Sequence, residues 1–89
     1  MRPLDPEVAL RRIGARIAEV RAAREMTQEA LAELAGISAR WIQMVESGRQ
    51  NLTVKTMVRL ANILRVGLAD LVAAPTGGPS RVRARYARR

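Results

Sequence analysis

Cysteine, histidine and phenylalanine are all missing from this 89-residue chain, and Trp41 and Tyr86 are its only aromatic residues. Without cysteine or histidine there are no disulfides, no thiol or imidazole chemistry and no Cys/His zinc site. No apolar run approaches the roughly 20 residues of a membrane span. The opening stretch "MRPLDPEVALRR" has no apolar core of a signal peptide. The expectation is a cytoplasmic protein with no metal, no cofactor and no membrane partner. Acidic residues are also scarce: eight stand against sixteen cations, fifteen of them Arg, for a net charge of +8. Arg pairs bidentately with phosphate, so the balance suits a polyanion such as nucleic acid. Codon usage in a GC-rich genome accounts for Arg in place of Lys, but not for the net excess.

What is present is aliphatic. The 48% apolar content is enough for one domain with a core of Leu, Ile, Val, Met and Ala. Leu10, Ile13, Ile17 and Val20 share one face of a helix expected from Pro6 or Glu7 to about Arg24. Thr27 is placed to cap a second helix, with Glu29 in its positive first turn. Leu31, Leu34 and Ala35 form its apolar side, and Gly36 suits a left-handed stop. Ser38 caps a third helix that ends at Gly48. Thr53 caps a fourth with Val54, Met57, Val58, Ala61 and Leu64 as its buried face. A short fifth follows Gly67, carrying Leu68, Leu71 and Val72. No segment alternates like a half-buried strand, so the fold class is all-α. Residues 1–7 read as a loose lead-in, 8–74 as the folded domain and 75–89 as a basic, disordered tail. Within that tail "PTGGPS" is turn-rich, and "RVRARYARR" holds five Arg and no acid.

Breaking a good amphipathic helix at Gly36 and restarting it at Ser38 has a geometric use. On the third helix Ser38, Ile42 and Val45 fall on one side, with Trp41 and Glu46 at its edges; Trp41 is expected to pack at the helix edge. Arg40, Gln43, Met44 and Ser47 fall on the other, bordered by Ala39. The inner side anchors the helix. The outer side offers a guanidinium, an amide and small or flexible groups, the chemistry that reads base edges in a major groove. Small Ala32 and Gly36 let the second helix pack close to the third, as a helix-turn-helix requires.

Residues 10–73 resemble the lambda-repressor-like, Cro/C1-type (XRE) helix-turn-helix family. The matching features are Arg21, Thr27–Gln28, Leu31–Ala32, Gly36 and Glu46–Ser47–Gly48, at the family's spacing. Three positions depart from the family pattern: Leu52 replaces a frequent Pro, Gly67 a frequent Ser or Thr cap, and Ala39 a frequent polar reader. The resemblance implies a compact five-helix domain that binds double-stranded DNA. It implies base reading by Ala39, Arg40, Gln43 and Met44, and phosphate contacts from Gln28, Ser38, Ser47, Arg49, Asn51 and Lys55. It also implies a structural salt bridge between Arg21 and Glu46. Dimers in this family form through C-terminal helices, which makes Ile63, Leu68 and Val72 the expected two-fold interface.

These features favour a transcriptional regulator, a repressor working as a homodimer on a palindromic operator in a bacterial or phage setting. An antitoxin that binds its operator and a toxin partner is the alternative, and a basic peptide for RNA or membrane surfaces on a passive domain is a third. Enzyme function is not expected: Glu29, Glu33 and Glu46 have no His, Cys or glycine-rich phosphate loop beside them. The tail remains open between an arm along DNA phosphates, a segment for a protein partner, and solubility. Extended, it would place Arg81, Arg83 and Arg85 opposite Val82, Ala84 and Tyr86.

Overall fold

The computed structural model describes residues 3–73, which form five helices. These are α1 (Pro6–Ala23), α2 (Gln28–Ala35), α3 (Ala39–Glu46), α4 (Val54–Leu64) and α5 (Leu68–Val72). Four short polar side chains start the first four. The Asp5 carboxylate accepts from the Glu7 amide, and the Thr27, Ser38 and Thr53 hydroxyls accept from the amides of Ala30, Trp41 and Thr56. Each satisfies a donor that the helix leaves open, worth about 1 kcal/mol. Gly67 has no side chain to do this for α5, so Asp70 reaches back and accepts from the Gly67 amide at 3.0 Å. Pro6 and Glu7 belong to α1, the start expected from the helical pattern, so the helix takes in the last two residues of the stretch 1–7 read as a lead-in. The Asp5 cap together with Pro6 in the first turn sets that start.

Four helices end alike. Glu25, Gly36, Gly48 and Arg65 all adopt positive φ, and the amide of the next residue returns to the helix in each case. Met26 donates to the Arg21 carbonyl, Ile37 to Ala32, Arg49 to Met44 and Val66 to Ala61. This is the Schellman arrangement. Only the two glycines announce it in the sequence; Glu25 and Arg65 hold the same conformation against the steric preference of an L-residue.

The core joins all five helices: Ile17 and Val20, Leu31 and Ala32, Ile42 and Val45, Leu60 and Leu64, and Leu71, with Val66 from the turn before α5. Each large aliphatic side chain so buried contributes about 1.5–3 kcal/mol. Leu52, in the loop before α4, also packs against it. Two expectations of burial fail. Leu34 is 62% exposed, and in α4 Val54 and Val58 face solvent while Leu60 is fully buried. Leu60 borders the arc spanned by Met57, Ala61 and Leu64 on the Leu64 side, and Val58 borders it on the Ala61 side. An aliphatic residue on either border fits the same periodicity.

Three arginines that look like surface charge in the sequence close helix ends instead. Arg24 Nε donates to the Leu64 carbonyl at 2.8 Å, Arg59 Nη1 to Ala35 at 3.3 Å, and Arg16 Nε to Asp70 at 2.6 Å. A cation at a C-terminus meets both open carbonyls and the negative end of the helix dipole. Arg16 is almost wholly buried, and its Nη1 also meets Glu19 at 3.0 Å.

Candidate nucleic-acid interface

The back of α3 is fixed by a close helix contact and a polar cluster. Gly14 of α1 lies under the end of α3; a Cβ there would stand 2.2 Å from the Val45 carbonyl oxygen and 2.8 Å from that of Glu46. Beside this contact the Glu46 carboxylate takes Arg21 Nε at 2.6 Å on one oxygen. Its other oxygen takes Arg21 Nη2 at 3.0 Å and Gln28 Nε2 at 2.9 Å. Arg21 Nη1 donates to the Met26 carbonyl. The hydrogen bond to Glu46 raises the Arg21 pKa above its ordinary value, burial opposes it, and the charges of Glu46 and Glu29 add to the rise. The cluster ties α1, α2 and α3 together. Every buried side-chain polar atom among the described residues has a partner, so loss of Glu46 would strand two donors in a partly desolvated site.

The front of α3 is the opposite. Arg40 and Gln43 are exposed and make no side-chain hydrogen bond or ion pair among the described residues. With Ser47 they run down one line of the helix surface at spacings of three and four residues. Met44 is half-buried at the side of this line, while Ala39 and Trp41 are half-buried and pack against the core. A methyl group at Ala39 therefore presents little reach beyond close approach.

Residues expected at phosphates occupy three environments. Asn51 and Lys55 are exposed without side-chain partners among the described residues. Ser38 and Ser47 use their hydroxyls internally: Ser38 caps α3, and Ser47 donates to the Met44 carbonyl while accepting from Arg49 Nε at 3.0 Å. Gln28 directs one amide hydrogen to Glu46 rather than outward. Arg49 stands out by position. At the residue after the left-handed turn, Met26, Ile37 and Val66 pack into or against the core, but Arg49 is exposed. Gly14 and Arg16 were not legible as structural: the first reads as an ordinary helix-weakening glycine, the second as solvated charge. The only available signal was a glycine inside an otherwise regular helix.

Away from this face, Leu68 and Val72 are 37% and 53% exposed, four residues apart on α5, with Ile63 half-buried against the core. The basic tail, Arg81 to Arg89, lies outside the described residues. No helix among the described residues is long and apolar enough to cross a membrane.

Known proteins share this arrangement. Residues 17–71 match the helix-turn-helix family HTH_3. An HTH-type transcriptional regulator of Sinorhizobium fredii is 35% identical over 60 residues, covering 67% of this chain and 78% of its own. The crystal structure of the restriction-modification controller protein C.AhdI from Aeromonas hydrophila superposes with a TM-score of 0.69 at 31% identity. That match covers 72% of this chain and 97% of the controller. The clp gene regulator ClgR of Corynebacterium glutamicum shares the fold, with a TM-score of 0.71 at 24% identity, over 81% of this chain and 87% of its own. A helix anchored from behind and polar in front thus belongs to a recognised lineage: the chain is a member of the Cro/C1-type (XRE) helix-turn-helix family of DNA-binding transcriptional regulators.

Proposed function

We propose that this protein is a sequence-specific repressor that binds a palindromic operator as a homodimer, with α3 in the major groove of each half-site. The observation that carries the reading is the unpartnered outward line of Arg40 and Gln43 on a helix whose back is held by Arg21, Gln28 and Gly14. A guanidinium pairs bidentately with guanine and an amide with adenine, and both gain from a helix that does not reorient on binding. Arg49, Asn51 and Lys55 are the phosphate anchors in this reading, and exposed Leu68 and Val72 with Ile63 supply the two-fold contact. Dimerisation would set the recognition helices about 34 Å apart. Residues 8–74 would form the binding unit, at work in a bacterial or phage-infected cytoplasm. The restriction-modification controller and the HTH-type regulator among the relatives support a regulatory role.

Selection from a random duplex library tests it. Two inverted half-sites one helical turn apart are expected, and a single half-site or no enrichment would refute the dimeric reading. On the selected site Arg40→Ala should lose about 1–3 kcal/mol and relax preference at one base pair per half-site. Equal loss on a scrambled duplex would make Arg40 a phosphate anchor instead.

A further inference from the structure

A shallow cleft lies between the first turns of α1 and the loop that follows α3, lined by Glu7, Leu10, Arg11, Gly48, Arg49 and neighbouring loop residues. Its walls touch. A Cβ on Gly48 would stand 2.6 Å from Arg11 Cγ and 2.7 Å from Arg11 Cα. The glycine thus lets the Arg11 stem lie directly on the loop backbone. Arg11 is exposed, and its side chain makes no hydrogen bond or ion pair among the described residues. Arg49, which lines the same cleft, is steered by its Nε bond to Ser47, which leaves its terminal nitrogens available. The backbone amides of Gln50 and Asn51 donate to no acceptor among the described residues. Two arginines and two residues with open backbone amides line one concavity, and guanidinium groups and amides together make the donor set of a phosphate.

We propose that Arg11 adds a contact from α1 to a backbone phosphate of duplex DNA, completing in this cleft the anchor that Arg49 and Asn51 supply in the reading above. The inference rests on the DNA-binding reading above and extends it to α1, none of whose residues that reading places against DNA. Location supports it. Ser47 lines the cleft and continues the outward line of Arg40 and Gln43, so a duplex held on α3 carries its sugar-phosphate strand past the opening. Glu7, the one acidic residue of the lining, opposes an anion there and gives the proposal a second, opposite sign.

The test titrates the full chain with its selected operator and with a scrambled duplex between about 50 and about 200 mM salt. Arg11→Gln keeps the stem and removes the charge. It should weaken both duplexes alike and lower the salt slope by about one unit per protomer. Arg11→Lys should restore most of that slope, and Glu7→Gln should tighten both duplexes. Wild-type binding with affinity and slope unchanged in Arg11→Gln and Glu7→Gln would overturn this site alone. A loss confined to the operator would overturn it too, because a phosphate contact carries no base information. Wild-type protein that binds neither duplex would overturn the DNA-binding reading and this site with it. Equal thermal midpoints for the variants would exclude unfolding as the cause of a loss, and the gain expected from Glu7→Gln cannot come from unfolding.

Discussion

The chain leaves α2 and α3 through the same turn and does opposite things with it. Gly36 and Gly48 have nearly equal φ, +73° and +77°, and the next residue returns its amide to the helix in both. After α2 that residue is Ile37, packed on the core; after α3 it is Arg49, exposed and bonded to Ser47. The glycines differ as well. Gly36 has open space where a Cβ would go, whereas Gly48 presses on the backbone of α1. One backbone device therefore closes the core in the first case and holds a cation at the surface in the second. Conformation alone does not assign a role; the surroundings do.

The contrast predicts unequal costs for one substitution. Gly48→Ala should destabilise by about 2–5 kcal/mol, since left-handed strain of about 1–2 adds to overpacking of about 1–3 against Arg11. Gly36→Ala carries only the strain, about 1–2 kcal/mol. Chemical denaturation of both variants checks the difference, and equal losses would mean that the α1–loop contact yields freely.

The two non-glycine turns sharpen the comparison from the other side. Arg65→Gly should gain about 0.5–1 kcal/mol, because relief of left-handed strain exceeds the added freedom of the unfolded chain. Its neighbour Arg24 still holds the Leu64 carbonyl. A thermal midpoint that falls instead would show that the Arg65 side chain contributes more than its backbone costs.

The smallest expected change in stability is at the exposed cation. Arg49→Ala should stay within about 0.5 kcal/mol of wild type, as exposed substitutions usually do. Binding to operator and scrambled DNA should fall equally, with a salt slope lower by about one unit per protomer. A large loss of stability would place Arg49 with Ile37, as part of the packing.

Much of this protein was determined by local sequence. Thr27, Ser38 and Thr53 start helices because a short hydroxyl meets a free amide one turn away, whatever else the chain does. Gly36 stops one because only glycine takes that φ at little cost. The amphipathic division of α3 into Ile42 and Val45 against Arg40 and Gln43 follows from helical period alone. The family resemblance added the Arg21–Glu46 pair, 25 residues apart in the chain, which no local pattern supplies.

Tertiary structure decided the rest, wherever a residue's role depends on what another segment brings to it. Arg16, Arg24 and Arg59 carry the same charge as Arg40, yet carbonyls from α5, α4 and α2 turn them into helix caps. Gln28 joins Glu46 because α3 crosses close to the start of α2. Val58 and Leu60 are both compatible with a buried stripe, and only the position of the neighbouring helices exposes the one and buries the other. Side-chain type limits what a residue can bond, but contacts across the fold select which of those bonds it makes.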